Sequence, residues 1–357
     1  MKIIQLLPTM SFGDAVSNDA AAIRQLLSDM GYETAVYASN IDPRLPEGTV
    51  QHWKKMKDLH NGDLLIYHGS TGDPLNRMVP SLGGRKMMIY HNITPSRFFH
   101  GYSRQAEELT AAGLHQIREL AGRFHYCVAD SDYNRQDLRK MGYRCMIDVC
   151  PIMIPFPDYD REPERAVMEQ YGNDGWTNLL FVGRIAPNKR QEDVILAFRH
   201  YHEHYNPKSR LFLVGNDAGM DKYRYQLENY VQALGLKDLV IFPGHISFAA
   251  ILAYYRLADV FVCMSEHEGF CVPLVEAMHF RVPIVAYASS AVPETLGKGG
   301  LLLDRKDPAL AAAAIDRIVR DGELRGMLQR EQEQKLREYD SENVRNRLVC
   351  CLKRAMA

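Results

Sequence analysis

No apolar stretch in the sequence approaches the roughly 18 residues needed to span a bilayer, and the opening MKIIQLLPTM is interrupted too soon to act as a secretory leader. Strong charge of either sign is missing as well. The formal net charge of −1 argues against nucleic acid as a partner. The seven cysteines are scattered and include no two C-x-x-C pairs, which argues against a zinc site and fits a reducing, cytoplasmic location. Adjacent Cys350 and Cys351 read as apolar or edge positions of a C-terminal helix. No low-complexity tract occurs. No G-x-G-x-x-G follows a strand, and Gly297–Gly300 precedes one and reads as a turn, so a nicotinamide or flavin cofactor has no fingerprint. No Asp-x-Asp sits beside a strand where it would hold Mg²⁺, and no metal is expected.

What is present is ordinary for a soluble globular chain of about two domains: 357 residues, 46% hydrophobic and 24% charged. Short apolar runs alternate with amphipathic ones. Lys2–Leu7, Glu33–Ala38, Asp63–Tyr67, Lys86–Tyr90, Tyr126–Ala129 and Arg144–Cys150 read as strands, with helices over Ala15–Met30, Ser103–Arg123 and Ser131–Met141 among them; Pro8–Asp14 reads as a loop. Pro151–Arg165 breaks the alternation with three prolines in seven residues and reads as a linker. The alternation then resumes, with strands over Asn178–Val182, Arg210–Val214, Leu239–Phe242, Val260–Met264, Val282–Tyr287 and Gly300–Leu303. The expected fold is α/β, with two doubly wound parallel sheets facing a cleft. Residues 1–155 and 165–340 are the expected domains, and a final helix over 341–357 is expected to return to the first.

The stretch SEHEGFCVPLVEAMHFRVP, Ser265–Pro283, organises the second half. It follows a buried strand and reads as a loop holding Glu268 and Gly269, then a helix from Pro273 with Glu276 in its first turn. Unpaired N–H groups at such a helix start suit a phosphate, and Gly269 lets a ligand approach the backbone. Two carboxylates beside that site would accept hydrogen bonds from sugar hydroxyls. The plainer alternative is an exposed loop acid and a second acid complementing the helix dipole. Arg184 and Lys189 follow another strand at a helix entry, placed for a diphosphate, with Gly183 permitting close approach; an exposed basic loop is the alternative. His91 ends the KMMIY strand, where a neutral imidazole could meet a hydroxyl or shuttle a proton. A satisfied core histidine is the alternative.

EGFCVPLVEAM resembles the E-x7-E motif of the retaining GT-B glycosyltransferases, a family that includes many bacterial polysaccharide mannosyl- and glucosyltransferases. FVGRIAPNKRQEDVI (Phe181–Ile195) is similar to that family's phosphate-binding segment. LFLVGND, VIFPGHIS, ADVFVCMSEHEGF and AVPETLGKGGLLLD follow in the family's order. The resemblance is strong over about Asn178–Asp304 and weaker before it. It implies a GT-B fold and a metal-independent, retaining transfer of a hexose from a GDP- or UDP-sugar to a glycan or lipid-linked acceptor, as in cell-surface polysaccharide or lipopolysaccharide synthesis. No cofactor is implied. A protein of this kind would work in the cytoplasm, and lipid-linked substrates would bring it to the inner face of the membrane.

The same resemblance assigns Arg184 and Lys189 to the diphosphate, Glu276 to the ribose, and Glu268 to the transferred sugar with the N–H groups of Gly269, Phe270 and Cys271. Position 271 is usually glycine in the family. Gly13 would face the diphosphate, although Phe12-Gly13-Asp14-Ala15 departs from the paired glycines of most relatives. His245 and Ile246 would meet the nucleobase and His91 the sugar, while Phe98, Phe99, His100 and Tyr102 read as acceptor-side or membrane-facing aromatics, with helix packing the alternative. Leaving-group charge would fall on Arg184 and Lys189, and Glu268 would not be a nucleophile. A sugar-nucleotide epimerase or a non-catalytic partner subunit on the same fold are the rival readings; the acid pair and the Arg/Lys pair argue against both.

Overall fold

The computed structural model describes all 357 residues, in two compact units. Unit 1 comprises Met1–Arg97, Gln105–Pro155 and Tyr339–Ala357; unit 2 comprises Phe98–Arg104 and Phe156–Glu338.

Unit 1 is built on seven strands: β1 (Lys2–Met10), β2 (Glu33–Ile41), β3 (Gln51–His52), β4 (Leu64–Gly69), β5 (Arg85–Tyr90), β6 (Tyr126–Ala129) and β7 (Met146–Val149). They lie in the order β3-β2-β1-β4-β5-β6-β7, every neighbouring pair parallel. Such a sheet is covered on both faces, which is why its strands read as continuous apolar runs. Side chains alternate between the faces. Ile4, Leu6, Leu65, Tyr67 and Met88 pack with Ile117 and Leu120 on one. Ile3, Leu64, Ile66 and Met87 pack on the other with Ile23, Leu27 and the C-terminal helix residues Val344, Leu348 and Leu352. That helix, Ser341–Met356, is capped by the Asp340 side chain, which accepts from Glu342 N–H.

Two sequence expectations change here. Pro8 is in β1, not in a loop. Its missing N–H is tolerated because pairing with β4 ends at Leu6, so Pro8 lies where β1 has only β2 beside it. The Pro151–Arg165 stretch is not wholly irregular either. Phe156–Tyr159 makes one helical turn with Pro157 at its start, where proline costs little.

Unit 2 has six strands: β8 (Thr177–Val182), β9 (Ser209–Val214), β10 (Val240–Gly244), β11 (Val260–Cys263), β12 (Ile284–Tyr287) and β13 (Gly300–Leu303). Their order is β10-β9-β8-β11-β12-β13, again all parallel. The order reverses between β8 and β11. Phe98–Arg104 groups with this unit: Tyr102 meets the Tyr223 ring edge-on at 5.2 Å, and the Gly101 carbonyl accepts from Lys222 Nζ at 2.6 Å. No helix is long and apolar enough to cross a membrane.

Candidate functional site

In an open parallel sheet, ligands bind beyond the carboxyl ends of the strands where the order reverses. In unit 2 that point lies between β8 and β11, and the two sequence motifs emerge there. Gly183, Arg184 and Lys189 follow β8; Glu268 and Cys271 follow β11.

Gly183 has φ +152°, and a Cβ there would press on the Phe181 ring. Next to it, a Cβ on Gly215 would come 1.9 Å from the Gly183 carbonyl oxygen, so the loops after β8 and β9 touch through bare backbone. Arg184 is exposed and donates to the Ala218 carbonyl at 3.0 Å. Pro187–Lys189 forms a tight turn, and Lys189 Nζ lies 2.6 Å from Glu268 Oε2, with side chains 20% and 8% exposed. Burial pulls the Lys189 pKa down, but the charges of Glu268 and Cys271 outweigh it and the net shift is upward.

Asn188 ties the two loops together. Its carbonyl accepts from Glu266 N–H at 2.8 Å, and its side-chain amide donates to the His267 carbonyl at 3.1 Å. Ser290 Oγ accepts from Glu268 N–H at 2.8 Å. Asn188, Gly215 and Ser290 carried no sequence signal beyond their residue types.

The helix after the loop runs Val272–His279, one residue earlier than expected, with Pro273 in its first turn. Glu276 therefore lies beyond the first turn, which removes the helix-dipole alternative. It is half-buried, and its carboxylate accepts from Tyr159 OH at 2.7 Å and Tyr255 OH at 2.6 Å. Burial raises its pKa and the two hydroxyls partly offset that. Cys271 caps the helix at φ +73°, ψ +65°, a left-handed conformation that costs a non-glycine residue roughly 1–2 kcal/mol. Cys263, Glu268 and Cys271 are all buried and hold their Sγ and carboxylate oxygens within 4.8 Å of one another, a grouping able to ligate a metal ion. The two thiols diverge: the hydrogen bond with Cys271 lowers Cys263, whose thiol also donates to Ser265 Oγ at 3.4 Å, and Cys271 is pushed up by the bond with Cys263 and by burial. Gly269 is half-buried and Phe270 buried in the same loop. His245 is exposed and Ile246 half-buried after β10.

Gly13 and His91 belong to unit 1. Gly13 has φ +74° with open space around it, ahead of the helix Ala15–Asp29 that Asp14 caps. His91 has both ring nitrogens engaged. Its Nδ1 lies 2.8 Å from Asp130 Oδ2 and its Nε2 lies 2.8 Å from His68 Nδ1; His68 Nε2 in turn lies 2.9 Å from Gln5 Oε1. Gln5 donates its amide to the Ala20 carbonyl, so its oxygen faces His68 and His68 Nε2 carries the proton. His68 Nδ1 then accepts, and His91 Nε2 must donate. Burial and the neighbouring His91 hold His68 well below the usual histidine pKa, so it is neutral. Burial alone would lower His91, but Asp130 and Asp19 raise it overall. The His91 side chain is 1% exposed with both ring nitrogens engaged, the arrangement of the satisfied core histidine that was the alternative reading. Asp19, pushed up to about 7 chiefly by burial, completes a second group with His68 and His91 whose ligand atoms lie within 4.8 Å. Of the sequence-expected residues, then, the structure joins Lys189, Glu268 and Cys271 directly; Glu276 has separate partners, and Gly13 and His91 lie in the other unit.

Residues 166–335 match the family model described as Glycosyl transferases group 1. The match covers just under half of the chain and lies within unit 2. Over 178 residues the chain is 32% identical to the alpha-D-kanosaminyltransferase of Streptomyces kanamyceticus, covering 48% of this chain and 44% of that protein. It is 24% identical over 264 residues to the O-antigen chain mannosyltransferase B of Escherichia coli, covering 73% and 66%. The chain spans less than half the length of the first curated relatives it matches. Among solved structures it is similar to a sucrose-phosphate synthase from Thermosynechococcus elongatus, with TM-score 0.78, 18% identity and 99% of each chain covered. The fold is GT-B, with two Rossmann-like parallel-sheet domains.

Proposed function

We propose that this protein is a glycosyltransferase that moves a hexose, with retention, from a nucleotide-diphosphate sugar to a glycan or lipid-linked acceptor. The observation that carries the reading is the Lys189–Glu268 pair at the strand-order reversal of the group 1 domain, 2.6 Å apart and nearly closed to solvent. A cation and a hydroxyl acceptor side by side suit the two ends of the bond that breaks. The Lys189 ammonium keeps two N–H donors for a diphosphate after meeting Glu268. The Glu268 carboxylate keeps lone pairs for sugar hydroxyls. As the anomeric bond lengthens, negative charge collects on the leaving diphosphate, and Lys189 and Arg184 stabilise it as it forms.

Glu276 takes the ribose. Its two tyrosine hydroxyls hold the carboxylate in place and leave acceptor capacity for the ribose diol. Gly183 and Gly269 allow backbone approach, Phe270 and Cys271 shape the sugar side, and His245 and Ile246 border the base. His91 enters as a charged group held by Asp130, not as a free base. The transfer needs no metal in this scheme, and the donor carries GDP or UDP. Polysaccharide or lipopolysaccharide synthesis in the cytoplasm, at the inner face of the membrane, belongs to the same proposal.

Thermal shift against UDP, GDP, ADP and their sugars tests it. Saturation at about 100 times Kd stabilises by about 2.7 kcal/mol. One nucleotide should stand out, and a response to none of them would refute the reading.

A further inference from the structure

The geometry points to a binding site for a thiophilic divalent cation, Zn²⁺ or its chemical kin, formed by Cys263, Cys271 and Glu268. The two thiol sulfurs and a carboxylate oxygen already lie within 4.8 Å of one another. Zinc bonds of about 2.3 Å to sulfur and 2.0–2.2 Å to oxygen put two sulfurs and an oxygen in tetrahedral positions roughly 3.5–3.8 Å apart. The ligands sit on fixed supports. Cys263 ends strand β11, Cys271 caps the helix Val272–His279, and the Glu268 N–H is held by Ser290. All three residues are buried, at 1%, 7% and 7% exposure.

A second observation is Cys271 itself. It occupies a left-handed position at φ +73°, and strain of this kind persists where the surroundings over-determine it, often at a ligand clamp. The charge balance also closes. Zn²⁺ + 2 RSH + RCOO⁻ gives [Zn(SR)₂(OOCR)]⁻ + 2 H⁺, and the anionic complex lies beside the Lys189 ammonium, already 2.6 Å from Glu268. Two sulfurs and one oxygen select soft or borderline cations over Mg²⁺ or Ca²⁺, and three protein ligands leave a fourth position for water. Because Glu268 accepts hydrogen bonds from the donor sugar in the function proposed above, an occupied site would withdraw it from the donor. That consequence rests on the glycosyltransferase reading; the site does not.

Co²⁺ titrated into the reduced, full-length protein under anaerobic conditions tests the site directly. The expected result is thiolate-to-cobalt charge-transfer absorption with tetrahedral d–d bands, saturating at one ion per chain. Two protons should be released per ion, and Zn²⁺ should bleach the bands. Cys263→Ser and Cys271→Gly should each weaken binding at least tenfold. Cys145→Ser should leave it unchanged, since Cys127 and Cys145 form a separate thiol pair with sulfurs 3.5 Å apart. Cys271→Gly relieves the backbone strain and so is the variant expected to fold even if Cys263→Ser does not. Absence of the charge-transfer band at saturating Co²⁺, or undiminished Co²⁺ affinity in folded Cys271→Gly, would overturn the proposal. Cobalt binding without any nucleotide-induced thermal shift would support the site while refuting the glycosyltransferase reading.

Discussion

Replacing Lys189 with alanine separates two things its ammonium does: it neutralises Glu268, and in the proposed reaction it meets the leaving diphosphate. The Glu268 side chain is 8% exposed, so truncation strands a carboxylate where water barely reaches. Breaking one side of a buried pair costs about 3–5 kcal/mol. In the wild type the raised Lys189 pKa keeps the ammonium charged at neutral pH, so the pair stays intact. Adding Glu268→Gln to Lys189→Ala removes the stranded charge and should restore stability at pH 7. Turnover should not return, because the leaving-group cation is still missing, a loss on the order of 10²–10³-fold. Denaturant unfolding of the three proteins at pH 7, beside steady-state kinetics with the donor, reads both effects. A Lys189→Ala variant as stable as the wild type, or a double variant that regains turnover, would refute the reasoning.

Glu276→Gln keeps an acceptor oxygen for the tyrosine hydroxyls but weakens the grip on a ribose, so KM for the donor should rise more than kcat falls; equal changes would place Glu276 in the transition state instead. Gly215→Ala drives a Cβ to 1.9 Å from the Gly183 carbonyl oxygen and should lower stability by about 1–3 kcal/mol in thermal melts. Gly322→Ala, with nothing within 4 Å, is the matched control and should be neutral or slightly stabilising. Asp19→Asn tests the unit 1 network. A carboxyl raised to about 7 when folded gives stability that is present below its unfolded pKa and lost as pH rises through about 7. The variant should therefore flatten the fall in stability between about pH 4 and pH 7, and an unchanged slope in paired unfolding curves would rule out a proton on Asp19.

Most strands of both units were legible because parallel strands buried on two faces leave near-continuous apolar runs, as in β8, β9 and β11. Their order was not legible. Periodicity says that β8 and β11 exist but not that they are neighbours, and the pairing of Lys189 with Glu268 across 79 positions depends on that adjacency. Local reasoning grouped Lys189 with Arg184, which is close in sequence, and put Glu276 in a first helical turn because Pro273 was taken to open the helix. Cys271 takes the cap instead, and a residue's place in a helix shifts with one such choice. Tyr159 and Tyr255, the partners that define Glu276, come from the linker turn and from the helix before β11, so no spacing rule connects them. The unit 1 network did leave a trace. Gln5 lies within the β1 run and His68 extends the β4 run, and a polar side chain in a strand buried on both faces must find a partner or pay for desolvation. Two such residues on adjacent strands, with His91 ending the next, require a shared set of hydrogen bonds. Following those bonds outward from Gln5 fixes the tautomer of His68, then the proton on His91, then its partner Asp130. The hydrogen bonds of His91, which sequence singled out, are thus set by a glutamine that sequence did not single out.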